Sequence, residues 1–273
     1  MIEVFSEMMS HAFIARAMLV GILVSLCAAL LGVSLVLKRY SMIGDGLSHV
    51  GFGILTISTA FGISSPLYIA VPGVMVFAVL LLKIGSSGKI KSDSAIALIA
   101  SSALAIGVAV TSVTTGMNTD VCNFMFGSIL AMSTSDVYLS VIVSILVILL
   151  FVIYYRKLFI ITFDEEFAKA SSLKVKKYTN LIAVLTAVII VVGMRMMGTM
   201  LISSIIIFPA LTSMRVFKSF KKVVISSAVV SVVSFILGLY LSYVYNISTG
   251  ATIVLVNLVL FIIFSIIDKI KNS

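Results

Sequence analysis

Long runs of apolar residues, separated by short polar loops, occupy most of this 273-residue sequence. Most runs approach the roughly 20 residues that an α-helix needs to cross the hydrocarbon core of a bilayer. Helices and closed barrels are the two structures that satisfy the backbone there, and the runs lack the alternating pattern of a barrel strand. The sequence therefore predicts an all-α, polytopic integral membrane protein.

Composition supports a membrane fold and argues against other classes. Hydrophobic residues make up 61% of the chain and charged residues 11%, whereas soluble domains hold about 45–50% and 25%. The net charge of +9 also occurs in nucleic-acid binders. Here the basic residues lie in loops between apolar runs, so we expect no nucleic-acid partner. Two cysteines are too few for a disulfide framework, and residues 1–17 lack the pattern of a removable signal peptide.

Nine apolar segments can be counted, at 14–37, 41–62, 66–82, 94–114, 134–155, 178–196, 198–213, 223–244 and 249–268. The seventh is short and contains Pro209, so it is either a span of its own or half of a broken pair with the sixth around Gly198. We expect about eight to nine transmembrane helices in one domain that covers residues 1–273. Close helix packing is expected where small residues recur every four positions, as at Ala97, Ser101, Ala105 and Ala109.

The distribution of basic residues tests this count. When the loops alternate between the two sides, seventeen of the nineteen Lys and Arg residues fall on one side, and Arg16 and Arg195 fall on the other. Cytoplasmic loops carry an excess of Lys and Arg, so we expect a cytoplasmic C-terminus and an N-terminus outside or at the interface. The first dozen residues are expected to form an interfacial helix, and residues 115–133 a short helix or re-entrant piece on the outer side.

One acidic residue lies inside an apolar segment without an evident structural reason. Asp45 is followed four residues later by His49, whereas Asp93 and Asp136 begin their segments, where a carboxylate favours a helix N-terminus. A spacing of four places Asp45 and His49 on one helix face. If the helix begins near Ser41, His49 lies roughly 12 Å from its start. Carboxylate oxygen and imidazole nitrogen are good ligands for zinc and manganese, so the pair is a candidate metal site.

The alternative interpretation of this pair is structural: Asp45 caps the helix and His49 bonds a neighbouring carbonyl oxygen. Ionisable groups inside a membrane cost about 2.5–3.5 kcal/mol or more each, so they normally face a cavity, a partner or an ion. Two ligands do not complete a tetrahedral site. A symmetric dimer would supply a second pair and complete four ligands around its axis, so we expect a second copy of the chain as a partner.

The long basic loop at 156–177 contains a second informative stretch. Its central residues are helix formers with an acidic start, Phe163-Asp164-Glu165-Glu166-Phe167-Ala168-Lys169-Ala170. This pattern predicts a short cytoplasmic helix that docks on a partner. A solvated connecting loop is the alternative, and composition supports the two equally.

The sequence contains no evident machinery for ATP binding or catalysis. The stretch Gly85-Ser86-Ser87-Gly88-Lys89-Ile90 lacks the four-residue interval and the Ser or Thr of a P-loop. No Ser-His-Asp or paired-carboxylate set is found. The chain is therefore not expected to be an enzyme, and ATP-driven transport would place the nucleotide site on another subunit.

The stretch Gly44-Asp45-Gly46-Leu47-Ser48-His49-Val50-Gly51-Phe52-Gly53 resembles the membrane permeases of bacterial zinc, manganese and iron ABC importers, the ABC-3 family. The resemblance runs over nearly the whole chain, through Val33 to Arg39, the acidic loop at 163–168, Gly198 to Pro209 and residues 249–255. The Asp-x-x-x-His element is its most specific part, and the surrounding glycines are weaker support.

The resemblance implies a transport subunit with no cofactor of its own. Such a permease pairs with a second copy of itself, with two cytoplasmic ABC ATPase subunits and with an extracytoplasmic metal-binding protein, in the bacterial inner (cytoplasmic) membrane. It implies that Asp45 and His49 contact the transported ion, Zn²⁺ or Mn²⁺. It also implies an ATPase-coupling helix in the loop at 163–172, formed by Asp164, Glu165, Glu166, Phe167 and Ala168.

Two details of the resemblance are informative. Relatives often have Gly shortly after the coupling helix, whereas this chain has Ser171-Ser172, which leaves the end of that helix open. The motif Gly-Asp-Gly-Leu-Ser-His-Val resembles that of the zinc permeases more than that of the manganese permeases. Zinc is therefore favoured as the transported ion, with manganese next and iron third.

Three other functions are compatible with parts of the sequence. A proton-coupled secondary metal transporter would use Asp45 and His49 as a proton relay and would need no ATPase. An intramembrane metalloprotease would need a His-Glu-x-x-His motif, which is absent. A permease for a metal chelate would be expected to have a roomier pathway and more spans.

Overall fold

The computed structural model describes residues 8, 10, 12–63, 66–86, 92–114, 127 and 134–272. These residues form helices and connecting turns, and no strand occurs among them, so the predicted all-α fold is confirmed. The helices are α1 (Ala12–Leu37), α2 (Ile43–Ala60), α3 (Leu67–Ser86), α4 (Ser92–Val113), α5 (Thr134–Phe163), α6 (Glu165–Ala170), α7 (Val175–Val216), α8 (Phe220–Tyr245) and α9 (Thr249–Asn272).

Within these described ranges, seven helices are long and apolar enough to cross a membrane: α1, α3, α4, α5, α7, α8 and α9. The 18-residue α2 is not among them because its Asp, His, Ser, Thr and Gly residues lower its hydropathy. Counting α2, and counting the two halves of α7 separately, brings the number of segments to the nine expected from the sequence.

Helix α7 consists of two halves that fold back on each other at Gly198. The backbone of Gly198 has φ 80° and ψ 164°, a region that is essentially restricted to glycine. A Cβ placed on Gly193 would lie 2.6 Å from Cδ1 of Ile202, although residues nine apart in a straight helix are about 13.5 Å apart along the axis. The sixth and seventh apolar segments are therefore a broken pair that turns at Gly198.

Two sets of contacts define the ends of the bundle. At one end the Lys38 ammonium donates to the carbonyl oxygen of Ile161 and to the hydroxyl of Thr179, which joins the end of α1, the end of α5 and the start of α7. We call this the basic end. At the opposite end Arg195 lies 2.9 Å from Asp136, which joins the first half of α7 to the start of α5.

Helix α7 is the centre of the bundle, because it contacts α1, α2, α3, α5, α8 and α9. In the most apolar stretch of α7, 78% of the residues are buried, whereas in that of α4 the share is 22%. The outward faces of α5 and α9 are rich in exposed large apolar side chains, as expected of helices in contact with lipid. Helix α2 packs against α3, α4 and α7.

Some sequence expectations change in detail or lie outside the described residues. Helix α5 continues to Phe163 rather than ending near residue 155, and its 30 residues correspond to about 45 Å. The first part of the expected loop at 156–177 is therefore helical. Most of the expected interfacial helix, and residues 115–133 apart from Gly127, lie outside the described part of the chain.

Candidate functional site: the α2–α4 cleft and helix α6

The glycines of α2 bring α4 very close to it. A Cβ on Gly46 would lie 2.6 Å from Cγ2 of Ile96, and one on Gly53 would lie 2.8 Å from the carbonyl oxygen of Ala103. These two glycines are seven residues apart and so share one face of the helix. Larger residues there would push α4 away.

Two further glycines let α2 pack on α7. A Cβ on Gly51 would lie 2.9 Å from the Met194 sulfur, and one on Gly44 would lie 3.3 Å from Cδ1 of Ile206. The high glycine content of this segment is thus explained by the close packing of α2 between two helices. The remaining open side of α2, next to α4, carries Asp45 and His49.

Asp45 and His49 line a cleft between α2 and α4. The Nε2 atom of His49 lies 3.7 Å from Oδ2 of Asp45, and the side chains are 21% and 43% exposed. The cleft has a volume of about 360 Å³, and its other lining residues are Met42, Asp93, Ile96, Ala97, Ala100, Ser101 and Leu104. The predicted juxtaposition of the two side chains on one helix face is present.

The geometry bears on both interpretations of the pair. Met42 occupies the N-cap position of α2 without a side-chain capping bond, and Asp45 lies in the first turn of the helix, where a carboxylate is favourable in its own right. The Nδ1 atom of His49 is buried and has no hydrogen-bond partner among the described residues, so the expected bond to a carbonyl oxygen is absent there. Two ligand atoms about 2.1 Å from a tetrahedral ion are about 3.4 Å apart, close to the observed separation of 3.7 Å.

The described residues of one chain do not bring together a full set of metal ligands. No group of three or more His, Cys, Asp and Glu side chains that would hold a metal occurs in the described part of the chain. Asp93 lines the same cleft, and sequence reasoning assigned it only to the start of α4. The signal that it belongs near the pair is the close approach of α2 and α4, which no local pattern reveals. Because α2 begins at Ile43 rather than Ser41, His49 lies roughly 9 Å from the helix start.

The acidic stretch of the long loop forms the short helix α6, as predicted, and the loop alternative is wrong. The carboxylate of Asp164 caps it by accepting a hydrogen bond from the backbone N–H of Phe167 at 2.8 Å. Ala168 is fully buried, whereas Phe167 is 58% exposed. Glu166 pairs with Lys169 on the surface of the helix. Helix α6 therefore rests on the bundle by Ala168 and presents an aromatic and charged face outward.

The end of α6 explains the Ser171-Ser172 departure. The N–H of Leu173 donates to Ala168 O and that of Ser172 to Lys169 O, both at 3.0 Å. This is the Schellman pattern, whose left-handed position is usually occupied by glycine. Ser172 occupies that position here, with φ 58°. The helix thus ends at the place where relatives were expected to have glycine.

A bundle of helices that are long and apolar enough to cross a membrane places the chain in the class of polytopic helical membrane proteins. Residues 10–268 match the family model described as the ABC 3 transport family. The chain belongs to this family, as its resemblance indicated.

Known relatives include permeases for two metals. The chain is 31% identical over 251 residues to the manganese import system permease protein ScaB of Streptococcus gordonii, covering 92% of this chain and 90% of the relative. It is 29% identical to the high-affinity zinc uptake system membrane protein ZnuB of Haemophilus influenzae, covering 90% and 94%. A solved structure, PsaBC from Streptococcus pneumoniae in complex with Fab, contains a chain with a TM-score of 0.86 and 30% identity, covering 97% and 95%.

Proposed function

We propose that this chain is the permease subunit of an ABC importer for a divalent transition-metal ion, with Asp45 and His49 as transient ligands in the translocation path. The observation that carries the proposal is the carboxylate–imidazole pair that lines the α2–α4 cleft. Relatives that import manganese and zinc support the metal class, and the family supports ATP-driven transport.

Two copies of the chain form the proposed path. The Asp45 side chain is 43% exposed, and an ionisable group within a membrane normally faces a cavity, a partner or an ion. A second copy across the cleft would cover it and provide a second Asp–His pair, which completes four ligands. The exposed small residues of α4 beside the cleft suit close contact between helices; they are Ala97, Ser101, Ala105 and Ala109.

Each end of the bundle is proposed to bind a different partner. The basic end faces the cytoplasm by the positive-inside rule, which puts the C-terminus there and the chain in the bacterial inner membrane. At that end α6, within the loop at 156–177, docks on a cytoplasmic ABC ATPase through Phe167 and its charged neighbours. At the opposite end an extracytoplasmic metal-binding protein delivers the ion. The chain acts as one permease domain, and its ATPase partner hydrolyses the nucleotide.

Transport proceeds by alternating access in this proposal. The binding protein releases the ion at the opposite end, and the ion exchanges water for the carboxylate of Asp45 and the imidazole of His49. ATP binding by the partner moves α6, and the path opens toward the basic end. Neutral imidazole is required for ligation, and the buried Nδ1 atom of His49 has no hydrogen-bond partner among the described residues, so a ligand or the second copy can supply one.

Manganese and zinc are the two candidate ions. The motif favoured zinc, whereas ScaB at 31% identity is a manganese permease and ZnuB at 29% is a zinc permease. Carboxylate and imidazole ligands suit both ions. The relatives thus lend manganese somewhat more support, and the zinc preference remains a prediction.

Reconstitution with the ATPase and the metal-binding protein tests the proposal. We expect uptake of zinc or manganese that requires ATP. Asp45→Ala and His49→Ala should each lower uptake at least about tenfold, because metal sites lose 10–100-fold in affinity or activity even when only a supporting group is removed. Asp93→Asn removes a carboxylate from the same cleft without removing a proposed ligand, and its effect should be smaller.

Two results would overturn the proposal in different ways. Wild-type uptake by well-assembled Asp45→Ala and His49→Ala variants would remove the ligand role of the pair. Uptake that responds to a proton gradient and ignores ATP would instead favour the proton-coupled secondary transporter.

A further inference from the structure

Lys38, the residue that follows α1, joins four elements of the basic end. Its ammonium donates to Ile161 O at 3.3 Å and to Thr179 Oγ1 at 3.2 Å, and it lies 3.5 Å from Oε2 of Glu165. Ile161 belongs to α5, Thr179 to α7 and Glu165 to α6. Two hydrogen bonds and one ion pair thus engage the ammonium group, which has three donors.

A lysine that only biases the orientation of the chain in the membrane can stay exposed, whereas Lys38 is buried. The Lys38 side chain is 9% exposed, and burial lowers the pKa of Lys38, an effect that the Glu165 carboxylate partly offsets. Burying a charge is unfavourable unless it is paired and hydrogen-bonded. The lysines at 176 and 177, at the same end, remain exposed, as expected of residues that only bias orientation.

On one side, Lys38 is connected to the metal-binding helix by a short, hydrogen-bonded turn. The N–H of Tyr40 donates to Leu35 O at 2.8 Å, and that of Ile43 donates to Tyr40 O at 3.0 Å. Arg39 takes up the left-handed conformation in this turn, with φ 61°. The turn leads directly into α2, so displacement of Lys38 is transmitted to the start of the helix that carries Asp45.

On the other side, Lys38 is connected to the proposed coupling helix. Glu165 is the first residue of α6, which is held in shape by the Asp164 cap and the buried Ala168. Burial and the Glu165 carboxylate together raise the pKa of Tyr40, in accord with a position of Glu165 close to the α1–α2 turn. A rigid helix that moves carries its first residue with it.

We propose that Lys38 is a positioning residue that couples movement of α6 to the metal-binding helix α2, through its contacts with Glu165, Ile161 and Thr179. This inference rests on the proposed function, because it gives α6 and the Asp45–His49 pair their roles. Lys38 touches no substrate. It determines how much of the motion imposed by the ATPase reaches the cleft.

The test measures coupling rather than transport alone. The complex of wild-type or variant chain with its ATPase and metal-binding protein is reconstituted in liposomes, and metal uptake is divided by ATP hydrolysed. Lys38→Met should lower this ratio about tenfold, while ATP hydrolysis continues. A change of this size is within the roughly 5–150-fold effect that one coupled site typically has on another. Lys38→Arg keeps the charge and the donors and should restore most of the ratio. Lys176→Met, which removes an exposed positive charge at the same end, is the matched control.

Milder variants keep the inference testable if Lys38→Met fails to assemble. Glu165→Gln removes the negative charge beside the ammonium, and Thr179→Val removes the hydroxyl that accepts from it. Both leave the ammonium in place, and the double variant should lower the ratio more than either change alone. An unchanged ratio in an assembled Lys38→Met complex, or in the double variant, would overturn the inference while wild-type uptake leaves the proposed function intact. If the wild-type complex imports no metal, the proposed function fails first.

Discussion

The two ends of the bundle each hold an ion pair between distant parts of the chain, and the two pairs differ in geometry. At the opposite end Arg195 and Asp136 are 2.9 Å apart, with side chains 29% and 14% exposed. At the basic end Lys38 and Glu165 are 3.5 Å apart, and Glu165 is 49% exposed. A short hydrogen bond between a charged donor and a charged acceptor is stronger than one between neutral groups. An exposed ion pair, in contrast, contributes little to stability.

The difference indicates two roles. The Arg195–Asp136 pair fixes the first half of α7 to the start of α5, three residues before the turn at Gly198. The Lys38–Glu165 pair connects α6, a six-residue helix, to the rest of the bundle, and of these two partners Lys38 alone is well buried. We therefore expect the opposite end to be firmly fastened and the basic end to be the one that a partner can displace.

Arg195→Met should have the largest effect on stability. It leaves the Asp136 carboxylate enclosed and without its guanidinium, and removal of one partner of a partly buried pair should cost about 2–3 kcal/mol. Thermal unfolding of the purified chain would then shift down by roughly 5–10 °C. The double variant Arg195→Met/Asp136→Asn should recover much of the loss, since it also removes the enclosed negative charge. Equal losses in the single and double variants would show that the ion pair is not the reason.

Glu165→Gln should affect stability far less. Because its carboxylate is half exposed, loss of the pair with Lys38 should change the free energy of unfolding by less than about 1 kcal/mol. The same unfolding measurement serves, with Glu166→Gln as the control at a more exposed neighbour on α6. A loss as large as that of Arg195→Met would contradict the distinction between a fastened and a displaceable end.

Sequence reasoning succeeded where the information was local. The spacing of Asp45 and His49 places them on one helix face whatever α2 packs against, and the acidic start of α6 is a short-range capping signal. The end of α5 was misplaced because Arg156 and Lys157 were interpreted as a loop. The helix continues past them until Asp164. The extended backbone of this residue ends α5, and its side-chain carboxylate caps α6.

Features that depend on distant contacts were not predictable. Lys38 was counted only as a topology signal, since its acceptors in α5 and α7 lie 123 and 141 residues away in sequence. Asp93 joins the cleft only because the glycines of α2 admit α4 so closely. The turn at Gly198 was left open because the apolar pattern continues through it, and only the backbone conformation identifies the break.

Ser172→Gly should have the smallest effect and should act on the basic end alone. Ser172 has φ 58°, where a side chain is unfavourable by about 1 kcal/mol relative to glycine, and the greater freedom of glycine in the unfolded chain offsets part of this gain. We expect a net gain of about 0.5 kcal/mol, too small for a large shift in unfolding temperature. Hydrogen exchange at the amides of Ser172 and Leu173, which close the end of α6, is the more sensitive measurement.

The exchange pattern separates a local effect from a general one. Slower exchange confined to the end of α6, with no change near Arg195, would fit a basic end whose local stability is independent of the opposite end. Slower exchange at both ends would mean that the bundle responds as one cooperative unit. In that case the contrast between the two ion pairs would describe exposure alone, and the capacity of α6 to move by itself would have to be abandoned.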